Sequence, residues 1–310
     1  MRVVVTGGAG FIGANLAREL LSTGDEVVIV DDLSTGFREN LADLDVDFRE
    51  GSVLDDDLLD QAMTGADAIV HLAAIPSVPR SVKDPMASHE VNATGTLKVL
   101  EAARRAGSLH VTVASSSSVY GSNPELPKHE GMRCAPLSPY GVSKLAAEAY
   151  AVAFAECYDL PTLAFRFFNV FGPLQAAGHA YAAVIPAFVD AAIAGRPLPL
   201  EGDGSQTRDF TYVGTVVRVL SEAARRRVSS PNPVNLAFGG RTSLRELIRL
   251  IEKELGESVE IDERPPRAGD VPHSQADSTK LRDLFPEVNE VLLEQGLAET
   301  VAWFRQLERG

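Results

Sequence analysis

The sequence contains very little cysteine and no long hydrophobic run. Cys134 and Cys157 are the only cysteines among 310 residues, so a disulfide framework and a structural zinc site are excluded, and we assign no metal. No apolar stretch reaches the roughly 18 residues that a membrane helix needs. Because no basic segment followed by an apolar run starts the chain, we expect no signal peptide and a cytoplasmic protein.

Positive charge is also scarce. Lys and Arg number 29 against 43 Asp and Glu, which gives a net charge of −14. A field of this sign repels nucleic acid and anionic membranes, so neither is an expected partner. The hydrophobic fraction of 45% is that of an ordinary globular protein.

Apolar runs and helical stretches alternate in the first half of the chain. Near-continuous apolar runs, typical of buried parallel strands, occupy Val3–Val5, Val27–Val30, Ala68–Leu72, Val111–Ala114 and Thr162–Phe168. Predicted helices, three of them closed by a glycine, occupy Ala14–Thr23, Leu54–Met63, Val91–Ala106 and Pro139–Cys157. This alternation predicts an α/β fold with a Rossmann-type, doubly wound parallel sheet.

Prolines crowd the chain after Gly172, where the alternation stops. Helical stretches remain at Val213–Arg226, Leu244–Leu255 and Leu293–Leu307. We therefore predict a Rossmann domain over residues 1–172 and a smaller lobe mainly over 173–310. That lobe would lie above the carboxyl edge of the sheet, where open α/β folds bind ligands.

A glycine-rich loop follows the first predicted strand. The spacing Gly7, Gly10 and Gly13 lets the backbone approach a pyrophosphate at the start of the first helix. Asp31 ends the second strand, where a carboxylate can bind both ribose hydroxyls and repel a 2′-phosphate. The pattern predicts NAD as cofactor in preference to NADP.

Tyr140 and Lys144 share one face of a predicted helix. A neighbouring ammonium group lowers a phenol pKa, so Tyr140 is a candidate general base for an alcohol or sugar hydroxyl. Four serines, Ser115 to Ser118, end a core strand and are expected to project towards the cofactor.

These motifs resemble the extended short-chain dehydrogenase/reductase family, and within it the nucleotide-sugar 4-epimerases of the UDP-galactose 4-epimerase type. The matching segments are Thr6–Gly13, His71–Ala74, Ser115–Gly121, Tyr140 with Lys144, Arg166–Asn169, Gly202–Phe210 and Arg267–Asp270. The resemblance covers essentially the whole chain.

The resemblance implies a role for each matching position. Tyr140 would be the catalytic base, Lys144 would bind the nicotinamide ribose, and Ser116 would be the catalytic serine. NAD-binding positions would be Gly7, Gly10, Phe11, Ile12, Gly13, Asp31, Asp32, Val53, Leu72, Ala73, Ala74, Asn92, Tyr140 and Lys144. UDP-sugar-binding positions would be Ser115, Ser116, Ser117, Asn169, Val184, Leu200, Arg208, Arg267, Asp270 and Ser274. Ser52 departs from the aspartate that family members usually place on the adenine amino group.

The implied reaction is epimerisation at C4 of a UDP-sugar through a transient 4-keto intermediate, with no net consumption of NAD. Related 4,6-dehydratases and decarboxylases carry acidic residues where this chain has Ser117 and Ser118, so elimination and decarboxylation are disfavoured. A non-catalytic NAD-binding protein and a net dehydrogenase are the alternatives from other classes. Helices over Val91–Ala106 and Leu145–Ala155 would form the interface of a homodimer, as in family members.

The identity of the sugar is less determined. Ser115–Gly121 resembles UDP-glucuronate 4-epimerases, and a serine run would supply donors to a C6 carboxylate. Ser274 is small where glucose-restricted members have tyrosine, and Tyr181–Pro186 resembles UDP-N-acetylglucosamine 4-epimerases. UDP-glucuronate is the favoured substrate, followed by UDP-N-acetylglucosamine and UDP-glucose.

Overall fold

The computed structural model describes residues 1–177, 182–265 and 272–307. The strands in the described residues are β1 Arg2–Thr6, β2 Glu26–Asp31, β3 Asp47–Glu50, β4 Ala68–His71, β5 His110–Ser116, β6 Thr162–Phe167, β7 Asn169–Phe171, β8 Leu198–Glu201, β9 Thr207–Arg208, β10 Phe210–Tyr212, β11 Val234–Leu236, β12 Thr242–Ser243 and β13 Ile261–Arg264. Seven of them form a central, all-parallel sheet in the order β11-β6-β5-β4-β1-β2-β3.

Helices cover both faces of this sheet. They are α1 Phe11–Ser22, α2 Asp56–Met63, α3 Val78–Lys83, α4 Pro85–His89, α5 Gly95–Arg105, α6 Pro139–Tyr158, α7 Val184–Ile193, α8 Val213–Arg225, α9 Leu244–Leu255, α10 Thr279–Leu284 and α11 Leu293–Leu307. The predicted Rossmann-type fold is confirmed.

The continuous apolar strands are explained by burial on two sides. Val3 and Val5 point into a core that includes α1 and α8, whereas Val4 points into a second core under α2, α5 and α6. All three valines are fully buried. A strand covered on both faces needs no polar alternation, which is why the sequence pattern identified it.

Some elements differ from the prediction. The stretch Val91–Ala106 is divided into a π-helical turn at Glu90–Thr94 and the α-helix α5. The edge strand β3, with the sequence DFRE, was not predicted because it is polar and partly exposed. Helices α3, α4 and α7 also lay outside the predicted elements.

The second half of the chain contributes to both lobes. Strand β11 pairs with β6, so a segment beyond residue 172 completes the central sheet. In the described parts of the chain, three two-stranded sheets lie outside the central sheet: β7 with β10, β9 with β12 and β8 with β13. A domain boundary at residue 172 stays a prediction. Among the described residues, no helix has both the length and the apolar character needed to span a bilayer.

Candidate active site

The glycine loop between β1 and α1 leaves no space for side chains at two positions. A Cβ on Gly7, whose φ is +70°, would lie 2.7 Å from the main-chain nitrogen of Ala73. A Cβ on Gly13 would lie 2.3 Å from the Gly7 carbonyl oxygen. No side chain caps α1 at Gly10, so the helix N-terminus can receive phosphate oxygens. Phe11 and Ile12 form its first turn.

Asp31 lies at the end of β2 and is bonded to the glycine loop. Its Oδ2 accepts a hydrogen bond from the Ala9 nitrogen at 2.9 Å, and its Oδ1 accepts one from the Leu33 nitrogen at 2.8 Å. Burial raises the pKa of this carboxyl above its usual value. Asp32, its neighbour, is exposed and accepts a hydrogen bond from the Ser34 nitrogen at 3.0 Å.

Leu72, Ala73 and Ala74 follow β4 and pass directly beside the glycine loop. The Ala73 nitrogen donates to the Thr6 hydroxyl at 3.3 Å. In contrast, the side chain of Val53 lies in the core under α5, only 4% exposed, so a contact with adenine would have to use its main chain.

Tyr140 lies in the first turn of α6. Ser138 caps this helix by accepting a hydrogen bond from the Gly141 nitrogen at 3.1 Å, and Pro139 has no N–H to satisfy. The Tyr140 nitrogen donates to Ser81 Oγ, in α3, at 3.0 Å. The Ser143 hydroxyl donates to the Tyr140 carbonyl at 2.8 Å, so the main-chain nitrogen and the carbonyl of Tyr140 are both hydrogen-bonded to serine side chains.

The Tyr140 phenol lies beside Ser116, at the end of β5. Burial raises the pKa of the phenol above its usual value, and the hydrogen bond with the Ser116 side chain offsets this only in part. The lowering by Lys144 that the sequence predicted is therefore not found in the nucleotide-free protein. Ser116 Oγ itself accepts a hydrogen bond from the Ser118 nitrogen at 3.1 Å. Ser117–Val119 forms a 3-10 turn after the strand, so Ser116 is the last serine in the extended conformation.

Lys144 lies one helical turn after Tyr140 and is 5% exposed. Its Nζ donates to the Ala114 carbonyl at 2.9 Å, and no ion pair of Lys144 is found in the part of the chain that the structure describes. Burial lowers its pKa to about 8. The ammonium group is therefore available to a polar ligand at the sheet edge.

Ser115 points away from Ser116, as alternation along a strand requires. Its hydroxyl donates to Glu148 Oε2 at 2.7 Å. Arg166 forms a buried, bidentate ion pair with Glu148, at 2.6 and 3.0 Å. This network lies between β5, β6 and α6, and the sequence patterns did not single out Glu148.

Asn92 lies within the π-helical turn, and its side chain is fully buried. Its Oδ1 accepts a hydrogen bond from the Ile75 nitrogen at 2.8 Å, and its Nδ2 donates to Ser143 Oγ at 3.0 Å. The side chain thus links the loop after β4 to α6. π-Helical turns often mark functional sites.

His71 ends β4 in a buried chain of hydroxyl groups. Its ring nitrogens bond the Thr6 and Thr96 hydroxyls at 2.7 and 3.0 Å, and the Thr96 hydroxyl donates to the Asn92 carbonyl at 2.6 Å. Burial lowers the pKa of His71 to about 3, so the ring is neutral. His71 therefore joins the strand before the glycine loop to the turn that holds Asn92.

Ser115, Ser116 and Ser117, which were predicted to bind the sugar, lie at the end of β5 and in the turn after it. The other predicted sugar-binding residues that the structure describes lie in or beside the small sheets and α7. The side chain of Asn169 donates to the carbonyl of Asp209, the residue that follows Arg208. The Ser274 nitrogen donates to the Thr207 carbonyl at 3.0 Å. Val184 begins α7 and is partly buried, while Leu200 is fully buried in the core, so Leu200 would contact a substrate only through its main chain. Arg267 and Asp270 lie outside the described residues.

Comparisons with known proteins agree with this geometry. The model of the NAD dependent epimerase/dehydratase family matches residues 3–237. UDP-glucose 4-epimerase of Mycolicibacterium smegmatis is 40% identical, over 98% of this chain and 99% of the relative. A probable UDP-glucuronate 4-epimerase of Rhizobium meliloti is 32% identical, over 99% and 97%.

Comparison with solved structures also identifies epimerases as similar proteins. The UDP-N-acetylglucosamine 4-epimerase from Methanobrevibacter ruminantium M1, in complex with UDP-N-acetylmuramic acid, superposes with a TM-score of 0.94 at 35% identity. The match covers 99% of this chain and 98% of that one. The predicted family and its cofactor, NAD, are confirmed: the chain belongs to the NAD dependent epimerase/dehydratase family.

Proposed function

We propose that the protein catalyses NAD-dependent epimerisation at C4 of a UDP-sugar. The observation that carries the proposal is the grouping of Ser116, Tyr140 and Lys144 at the carboxyl edge of the sheet, beside the glycine loop. A protein that only binds NAD has no need of this grouping.

The residues around the glycine loop fit NAD. Gly7 and Gly13 leave a cradle that a Cβ would fill, and the open N-terminus of α1 suits a pyrophosphate. Asp31 is placed to accept hydrogen bonds from the ribose hydroxyls, and its charge disfavours a 2′-phosphate. When bound there, NAD would supply reversible hydride transfer at C4 of the sugar.

Proton transfer is assigned to Tyr140. Its phenolate takes the proton of the 4-hydroxyl, and the same phenol returns that proton when the ketone is reduced. Ser116 would hold the sugar oxygen by a hydrogen bond. Lys144, buried without a carboxylate partner among the described residues, would stabilise the phenolate and bind the ribose. Ser117 and Ser118, in place of acidic residues, leave elimination without an acid or base.

The sugar has to turn over between the two hydride transfers, so firm binding belongs to the UDP. Asn169 and Arg208 are assigned to this part of the substrate, with Val184 and the main chain of Leu200 at its border. Arg267 and Asp270 are also assigned to the UDP, on the basis of the sequence resemblance alone. A guanidinium group pairs well with phosphate oxygens.

For the sugar, we propose a substrate without a C6 carboxylate, with UDP-N-acetylglucosamine first and UDP-glucose second. The hydroxyl of Ser115 is bonded to Glu148 in the core, so the serine run offers fewer donors to a carboxylate than the sequence suggested. The nitrogen of the small residue Ser274 donates to the Thr207 carbonyl beside Arg208, and a side chain of this size would admit an N-acetyl group where a tyrosine would not. UDP-glucuronate, which the sequence favoured, becomes the third candidate and is supported by Ser116 and Ser117.

The decisive experiment supplies purified protein with each UDP-sugar in turn and follows the C4 epimers by NMR. We expect turnover of at least one sugar, no net change in nicotinamide absorbance, and loss of at least 100-fold in kcat for Tyr140→Phe, within the range that general bases contribute. Stoichiometric NADH formation would instead indicate a net dehydrogenase. Equal activity of Tyr140→Phe would reject the catalytic assignment.

We also propose a homodimer in which α5 and α6 pack against a second copy. A surface cleft between these helices is lined by Leu97, Tyr150, Phe154 and Tyr158, and the two tyrosines are 39% and 50% exposed. Tyr150→Glu would shift the mass in analytical ultracentrifugation from dimer to monomer, and an unchanged mass would reject this interface. The cytoplasmic location stays a prediction from the sequence.

A further inference from the structure

We infer that Asp209 is a positioning residue for UDP-sugar binding, because it joins the segments that carry Asn169, Arg208 and Ser274. This inference rests on the proposed function. Asp209 lies between β9 and β10 and is 1% exposed, so it does not itself offer a surface to a ligand.

The carboxylate of Asp209 holds two loops of the smaller lobe together. Its Oδ2 accepts hydrogen bonds from the Gly239 nitrogen at 3.1 Å and from the Ala276 nitrogen at 3.0 Å. Gly239 has a φ of +87°, a conformation that turns its loop towards Asp209. A further bond ties the same two loops, since Gln275 Nε2 donates to the Gly239 carbonyl at 3.0 Å.

The main chain of Asp209 holds Asn169. Its carbonyl accepts one hydrogen bond from the Asn169 nitrogen at 3.2 Å and another from Asn169 Nδ2 at 3.1 Å. The amide side chain of Asn169 is therefore oriented by Asp209, and no hydrogen bond occupies its Oδ1 among the described residues. One residue thus fixes Asn169 and, through the Ala276 loop, the neighbouring Ser274.

The burial of the Asp209 carboxyl lowers the stability of the folded protein. Asp209 Oδ1 is buried and has no hydrogen bond of good geometry among the described residues, although the Gly240 nitrogen also interacts with this carboxyl. Burial raises the pKa of the carboxyl to about 7 despite these main-chain nitrogens, and the charge of Glu290 raises it further. A buried carboxylate with one poorly bonded oxygen destabilises the folded state. Packing alone does not explain it, whereas placement of the substrate segments does.

The test compares Asp209→Asn with a matched control, Asp277→Asn. Asp277 belongs to the same loop as Ala276, but among the described residues its carboxylate accepts hydrogen bonds from Thr279 alone, from the main-chain nitrogen at 2.8 Å and from the side chain. For Asp209→Asn we expect the KM for the UDP-sugar to rise about tenfold, as weakening of a charge-assisted hydrogen bond would produce. kcat should change less than threefold and the NAD content should stay the same. The control should match the wild type.

UDP alone serves as a second probe, measured by calorimetric titration. Its Kd should rise in Asp209→Asn, and also by about threefold in Gln275→Ala, which loosens the same junction without changing a buried charge. An unchanged Kd in Gln275→Ala would overturn the inference even if Asp209→Asn fails to fold. So would a fall in kcat with KM unchanged in Asp209→Asn. If the wild type epimerises no UDP-sugar, the proposed function fails, and the UDP titration still decides the role of Asp209.

Discussion

Ser81 accepts a hydrogen bond from the main-chain nitrogen of Tyr140 at 3.0 Å, although the two residues are 59 positions apart. Ser81 is fully buried, and its own hydroxyl donates to the Val78 carbonyl at 2.7 Å. Helix α3 therefore supplies a second cap to α6, in addition to Ser138. The position of the proposed base depends on a helix that carries no reacting group.

Removal of this cap should affect turnover more than binding. In Ser81→Ala we expect kcat to fall about three- to tenfold with KM within twofold, because one hydrogen bond of about 1 kcal/mol fixes the phenol relative to C4. Steady-state kinetics with the preferred UDP-sugar would measure this split. Ser88→Ala is the matched control, since Ser88 is buried in α4 and its hydroxyl has no partner among the described residues. Equal kinetics of the two variants would contradict the prediction.

Lys144 should destabilise the nucleotide-free protein at neutral pH. Its folded pKa of about 8 lies below the unfolded value of 10.5, so its buried charge costs stability fully below pH 8. As the pH rises from 8 to 10.5, the folded lysine is neutral while the unfolded one is still charged, and the cost disappears. Lys144→Met should therefore raise Tm by several degrees at pH 7 and less at pH 10, while abolishing activity.

Calorimetry of both proteins after removal of the nucleotide would measure this pH dependence. A difference in Tm that does not change with pH would show that packing, and not charge, separates the two proteins.

Asp31 should determine both the affinity for NAD and the discrimination against NADP. In Asp31→Ala we expect the Kd for NAD to rise about tenfold or more, because the carboxylate binds the Ala9 and Leu33 nitrogens and, as proposed, would also bind the ribose. The preference for NAD over NADP should decrease, since the repulsion of a 2′-phosphate is lost. Fluorescence titration with both nucleotides would test this. The exposed Asp43→Ala should leave both affinities unchanged.

The buried pair Glu148–Arg166 should be sensitive to loss of one partner. Arg166→Leu leaves a carboxylate unpaired in the core, and we expect a destabilisation of about 3–5 kcal/mol. Glu148→Met together with Arg166→Leu should recover part of this loss. The exposed pair Arg38–Glu50 is the control, and Arg38→Leu should leave the free energy of unfolding almost unchanged in denaturant titrations. Equal losses in Arg166→Leu and in the double variant would contradict this account.

The fold was predictable where burial of a strand or helix requires a recognisable pattern of apolar residues or glycines in the sequence. The valines of β1 and β2 form continuous apolar runs because both faces are covered, and Gly24 and Gly107, with φ of +80° and +101°, follow predicted helices. The edge strand β3 is polar, so it has no such apolar pattern in the sequence. The π-helical turn around Asn92 is set by contacts with Ile75 and Ser143, which are distant in the sequence.

The sequence by itself determined the parallel sheet, the glycine loop, Asp31 and the spacing of Tyr140 and Lys144, because these features follow from local periodicity and short motifs. Tertiary structure alone decided which way each serine of the run points, and it placed Ser81 and Asp209 at junctions between distant segments. Hydrogen bonds and burial act between residues that are close in space, and a single sequence carries no direct record of such pairs. For that reason the sequence could propose the residues of the site, whereas the contacts that support them required the fold.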